Sequence, residues 1–196
     1  MDKKIYLNSF YSASLAVFAP LFIWGNTLSH IPWIFQKLEM NNSTLGYLFM
    51  IFSVVQLVFS QLAGRVIVPN LGSRFSLVIG LIVFSCTPIF FIFSNSINLF
   101  LFAAVPAGIG FGIINTTATA VTSVAENKTN KILQTYYSAF FSMGILLGGL
   151  CSGLYRYLEF NSYILFFILI LFGLISTLFV FNLGLKKQYD EIEKME

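Results

Sequence analysis

Six runs of roughly 20 mainly apolar residues, set apart by short clusters of turn formers and charges, constrain what this chain can fold into. They cover residues 8–30, 44–67, 75–95, 98–122, 134–155 and 162–184. Hydrocarbon offers no water to a bare N–H or C=O, so a segment of this length must close its hydrogen bonds within itself, as a helix. The breaks fall at Gln36 to Asn42, Pro69 to Arg74, Asn95-Ser96, Glu126 to Lys131 and Arg156 to Ser162. Only 10% of the 196 residues are charged, against roughly 25% in soluble domains, which is too few to wet a folded surface. The expected fold is an all-α membrane protein with six transmembrane helices over residues 1–185, followed by a cytoplasmic tail over residues 186–196.

Basic residues set the expected orientation. With the N-terminus in the cytoplasm, that side collects Lys3, Lys4, Arg65, Arg74, Lys128, Lys131, Lys186, Lys187 and Lys194, and the far side only Lys37 and Arg156. The positive-inside rule then predicts a multi-pass protein of the cell's inner (plasma) membrane with both termini cytoplasmic. Lys3-Lys4 before an apolar run is also how a secretory signal begins. Here the run is longer than a signal core and five more follow, so it reads as an uncleaved first helix.

Several function classes fall away. Cys86 and Cys151 lie inside apolar runs, not in a disulfide framework. One histidine and no HExxH or CxxC spacing predict no metal site and no cofactor. All eight acids are read into loops or tails, leaving no paired carboxylates and no nucleophile beside a base, so no enzyme is expected. The expected partners are the lipid bilayer and a small solute, with no nucleic acid.

The six runs differ in chemistry. The third and sixth are thick with Phe, Ile, Leu and Val, which suits lipid contact. The fourth carries Gly108, Gly110 and Gly112 ahead of Asn115, Thr116, Thr117, Thr119 and Thr122, and the fifth carries Gly144, Gly148, Gly149 and Gly153. Small residues four apart allow close helix approach, and polar groups at membrane depth need protein or water beside them. The first, second, fourth and fifth helices are therefore expected to line an interior, with the third and sixth outside. The order polar, small-rich, greasy occurs twice, as in the three-plus-three inverted repeats of secondary transporters.

Local motifs sharpen this. Gly64 to Arg74 (GRVIVPNLGSR) resembles the loop between spans two and three of the major facilitator superfamily, matching at Gly72, Ser73 and Arg74 but with Pro69 near the acidic position. Three further stretches are similar to the bacterial subgroup around fucose permease: Ser29 to Gly46, Gly108 to Glu126 and Tyr137 to Leu154. The resemblance covers nearly the whole chain. It implies the N-terminal half of such a transporter, a 3+3 inverted repeat that moves a small polar, sugar-like solute by alternating access. Gly64, Arg65, Gly72 and Arg74 would form the gating loop. The subgroup's basic residue before a proline is His30 here, its fourth-span acid is Asn115, the amide beyond it is Thr119, and its fifth-span histidine is Ser138. Of the intramembrane charges that would carry a proton, only His30 keeps an ionisable group.

A complete family member has twelve spans. A six-span chain implies a separate second half, a pair of copies, or an interrupted reading frame; the last, a truncated product, is the reading adopted. The chief rival to transport is a non-transporting membrane protein or a scaffold partner subunit. Candidate solute-binding residues are Asn26 and His30 on the first helix and Asn115, Thr116 and Thr119 on the fourth. Each has a plainer alternative, helix–helix hydrogen bonding or back-bonding to its own carbonyls. Trp24 and Trp33 read as packing and interface residues, or as a stacking platform.

Overall fold

The computed structural model describes residues 3–184, so the expected tail over 186–196 and its lysines lie outside the described residues. Six helices are long and apolar enough to cross a membrane: Lys3–Leu38, Asn42–Leu71, Ser73–Ile92, Ile97–Thr129, Gln134–Tyr157 and Ser162–Leu183. They run up and down with short connections. Lys37 at the end of the first helix donates to the Ile92 carbonyl at the end of the third, 3.3 Å away. Arg74 at the start of the third lies 3.8 Å over the ring of Phe181 at the end of the sixth. Odd and even helices therefore point in opposite directions, and Lys3, Lys4, Arg65, Arg74, Lys128 and Lys131 gather at the end of the bundle where the first helix begins.

The helices outrun the apolar stretches at several ends. The expected break at Gln36 to Leu38 is helical, as is the stretch from Glu126 to Thr129. Asn130, in the left-handed conformation at φ 55°, stops the fourth helix. The Glu126 side chain then accepts from the backbone N–H groups of Leu133 and Gln134, both at 2.7 Å. An acid read as part of a loop thus belongs to one helix and caps the next, where bare N–H groups attract a negative charge.

All five prolines lie within these spans. A proline removes one ladder bond and crowds the carbonyl four residues before it, so the backbone adjusts nearby. Pro69 follows a π-helical turn at Ala63–Ile67. Pro88 follows a break at Cys86, and Pro106 one at Ala103.

Contacts follow a swapped order. The first helix packs mainly on the fifth and the fourth mainly on the second; the first and fourth touch each other, and the third and sixth cover them from behind. Exchanging first with fourth, second with fifth and third with sixth turns each of these main contacts into another, as a 3+3 inverted repeat requires. Within this chain the first helix buries the most of itself, the third and fourth bury equal shares, and the second and fifth bury the least. The first and fourth sit at the centre of the swapped pairs, whereas the second and fifth each pack on one main neighbour.

Small residues set the central approach. A Cβ on Gly144 would stand 2.8 Å from the Phe18 carbonyl oxygen, and one on Gly148 would collide with that of Phe22. Ser152 continues this row and is buried. On the other pair, Gly108 and Gly112 face the carbonyls of Phe52 and Gln56 at 2.8 and 2.7 Å. Gly153, expected within the same small-residue pattern, has no neighbour within 4 Å of a built Cβ. Gly148→Ala is therefore expected to destabilise the purified chain by about 1–3 kcal/mol, read as a lower unfolding temperature in detergent. Gly153→Ala should leave that temperature unchanged, and equal melting of the two variants would contradict the seam.

Candidate functional site

Near the middle of the bundle, five helices turn aromatic and aliphatic side chains toward one space. Leu21 and Trp24 come from the first helix, Phe52 from the second, Phe84 from the third, Phe111 from the fourth, and Phe141 and Ile145 from the fifth; they enclose about 170 Å³. Trp24 stacks on Phe52 with ring centroids 5.0 Å apart and planes 18° off parallel. Phe111 closes the ring of contacts, 6.1 Å from Phe52, 6.3 Å from Phe84 and 6.2 Å from Phe141. These separations and tilts suit the aromatic quadrupoles. A dry apolar cavity of roughly 150 Å³ accepts a benzene-sized guest, so this one accommodates a single flat ring.

Polar groups adjoin it on the fourth and fifth helices. Asn115 lies one turn beyond Phe111, and its Oδ1 accepts from the Tyr137 hydroxyl at 3.3 Å. Thr119, exposed, lies another turn on. Tyr137 itself lies one turn before Phe141. The structure thus ties one expected residue, Asn115, to a tyrosine placed too near the helix end to be chosen from sequence. Thr116 points elsewhere, its methyl 3.8 Å from a Cβ built on Gly64 of the second helix. Thr117, buried, donates back to the Ile113 carbonyl at 2.7 Å.

Asn26 and His30 do not join this group. Asn26 is two residues from Trp24, about 200° around the helix, and so lies on nearly the opposite face. Both side chains are fully buried. The Asn26 amide donates to the Phe22 carbonyl at 2.9 Å. Ser152 of the fifth helix donates to the Asn26 carbonyl at 3.2 Å and lies 2.6 Å from His30 Nδ1. The Asn26 carbonyl also lies 3.1 Å from Nδ1, an acceptor that suits a proton there, while Nε2 has no hydrogen-bond partner. The ring meets Phe166 of the sixth helix edge-on at 5.3 Å. His30 therefore ties three helices together away from the aromatic cavity.

The expected gating residues are only partly in a loop. Gly64 and Arg65 lie in the π-helical turn of the second helix, with Arg65 exposed. The connection narrows to Gly72, whose φ of 84° suits a residue without Cβ. Arg74 packs on Phe181 as described. Among the described residues no group of three His, Cys, Asp or Glu could hold a metal ion.

The aromatic cavity is what sequence reading missed. Its rings come from five helices, one or two residues from each, so no spacing within one helix marks them among the 23 phenylalanines. Trp24 offered the single cue, as one of two tryptophans, set in mid-span instead of at an interface.

Comparison with known proteins bears on this geometry. Residues 13–193 match the Major Facilitator Superfamily. The chain is 27% identical over 184 residues to multidrug resistance protein 1 of Bacillus subtilis (strain 168), covering 91% of this chain and 45% of that protein. It is 28% identical over 125 residues to multidrug resistance protein 2 of the same organism, covering 63% of this chain and 31% of the relative. The chain thus spans less than half the length of these relatives.

The His30 cluster gives a test of its own. Ser152→Ala removes the hydroxyl that bridges His30 to the fifth helix, leaving the ring only the Asn26 carbonyl, and is expected to cost about 1 kcal/mol, read by thermal or denaturant unfolding in detergent. In a His30→Leu background, where the bridge is already gone, Ser152→Ala should cost much less. An equal cost in the two backgrounds would contradict the pairing.

Proposed function

Because this chain belongs to the Major Facilitator Superfamily, we propose that it contributes half of a secondary transporter that moves small apolar, aromatic solutes by alternating access. The observation that carries this reading is the aromatic cavity between the first, second, fourth and fifth helices, backed by Phe84 of the third. Secondary transporters hold their solute near the bilayer midplane, where repeats meet. Apolar walls reward a solute that sheds its water there, and the ring faces attract a delocalised cation if the solute carries one. Both Bacillus relatives bear the name multidrug resistance protein, which supports a solute of this kind.

A hydroxyl-bearing, sugar-like solute is the second reading. Asn115 and Tyr137 favour it, since their hydrogen bond can open to a guest lodged against Phe111 and Phe141, with the Thr119 hydroxyl one turn beyond. On either reading Thr116 and the Asn26–His30 pair act through helix packing, and the π-helical turn from Ala63, with Gly72, forms the flexible gate-side connection.

The remaining wall is proposed to come from a second six-helix half or a second copy of this chain. Ser53, Gln56, Ser60 and Gln61 line a shallow trough of about 330 Å³ on the second helix. Ser60 is satisfied by the Gly112 carbonyl, but Ser53, Gln56 and Gln61 facing hydrocarbon would be costly, so protein or water fits this side better than lipid. The basic end of the bundle supports a plasma-membrane orientation with the N-terminus in the cytoplasm.

The chain has two tryptophans, so Trp33→Phe leaves Trp24 as the sole indole reporter. A flat aromatic cation is expected to quench its fluorescence saturably while a hexose does not. Phe111→Ala should weaken that binding about tenfold, or about 1.4 kcal/mol. Saturable quenching by hexose alone would favour the second reading. Light scattering of the detergent-solubilised chain is expected to show a dimer, or a complex with a further six-span chain. A strict monomer that quenches with neither probe would support the non-transporting rival.

A further inference from the structure

At the basic end of the bundle a groove of about 480 Å³ opens between the first helix, the connection from the fourth to the fifth, and the start of the fifth. Leu7, Phe10 and Phe140 form its apolar floor, Tyr11 and Tyr136 flank it, and Lys131 supplies its one charge. Its volume lies within the range of small-molecule sites, roughly 300–1,000 Å³. Tyr11, Tyr136 and Lys131 are exposed, so both hydroxyls and the ammonium are open to a ligand.

Among the described residues the charge at this mouth is unbalanced. Lys3 and Lys4 precede Leu7 by four and three residues, which sets them on the same helix face, one turn toward the end of the bundle. Of the described acids, the one nearest Lys131 in the chain, Glu126, is already engaged by the backbone N–H groups of Leu133 and Gln134. Lys131 makes no hydrogen bond or ion pair among the described residues. The arrangement is therefore an apolar slot with a positive rim, at the level where a helical bundle leaves hydrocarbon for headgroups. Its complement is a molecule with an acyl chain and a fixed negative charge. A second copy presented face to face would set the same lysines against each other.

We propose that this groove binds one anionic phospholipid, with its phosphodiester on Lys131, the Lys3 and Lys4 ammonium groups beside it, and an acyl chain against Leu7, Phe10 and Phe140. The tyrosine hydroxyls donate to the headgroup oxygens. Clusters of basic residues beside membrane helices attract anionic lipid in this way, and here the slot adds shape to charge. The site is independent of the solute cavity and does not rest on the transport reading.

Native mass spectrometry of the purified chain, with melting in vesicles of phosphatidylglycerol or phosphatidylcholine, tests it. Expected are a retained phosphatidylglycerol adduct and a melting midpoint several degrees above that in phosphatidylcholine. Combining Lys131→Gln with Lys3→Gln and Lys4→Gln should abolish both. Leu7→Trp, which fills the slot and keeps the charges, should reduce adduct retention. Arg65→Gln, at the same end but outside the groove, should preserve both. Equal behaviour in the two lipids, a lipid preference surviving the three lysine changes, equal loss in Arg65→Gln, or the same stabilisation by inorganic phosphate alone would each overturn the proposal.

Discussion

Two helices in lipid gain little from hiding apolar surface, because the tails around them are as apolar as leucine. They hold where their backbones come close. In this chain that closeness is set by Gly144 and Gly148 against the carbonyls of Phe18 and Phe22, with Ser152 continuing the row. Positions 141, 144, 145, 148 and 152 form one stripe along the fifth helix. Fixing the glycines against the first helix therefore also sends Phe141 and Ile145 toward Trp24, and Ser152 onto His30. The aromatic cavity and the buried polar cluster are two outcomes of one register.

The second seam repeats the device from the other side of the pseudo-symmetry. Gly108 and Gly112 press on the carbonyls of Phe52 and Gln56, and Phe111, between the two glycines in sequence, reaches the cavity beside Phe52. The cavity is thus built from corresponding parts of both repeats, with Trp24 answering Phe111 and Phe52 answering Phe141. Phe84 of the third helix breaks the correspondence by closing the back. Hydroxyls within the bundle seldom need a second helix. Thr27, Thr117 and Thr177 each donate to the carbonyl four residues earlier, which satisfies them locally and leaves the seams to small residues.

The number of helices, their alternation and the crowding of lysine and arginine at one end were legible because they depend on length, hydropathy and charge, which act residue by residue. Helix ends were less so. Glu126 reads as a loop acid by charge, yet the fourth helix runs through it and its carboxylate caps the fifth. Burial within the chain does not follow greasiness, since the second helix is less apolar than the third and sixth yet the least buried. Swapped pairing instead puts the phenylalanine-rich third helix behind the fourth. Asn115 and Thr119 stand out in the sequence by polarity on one helix face. Asn26 and His30 stand out the same way, but polarity does not reveal which neighbour a face meets, and theirs meets the fifth and sixth helices.

Burial and polarity also run in an instructive order. The sixth helix is the most apolar of the six and the second the least buried, yet the second carries Ser53, Gln56, Ser60 and Gln61 in one trough. Ser60 reaches the Gly112 carbonyl at 3.3 Å. A helix adapted to lipid would carry its polar residues toward the bundle and its leucines outward. An unpaired amide or hydroxyl left against hydrocarbon costs about 1–3 kcal/mol by mutational measures. The second helix, flanking the cavity beside the fourth, is thus poorly matched to lipid where it is most exposed. Water or a further protein body relieves that mismatch, and either one, placed there, stands beside the aromatic cavity.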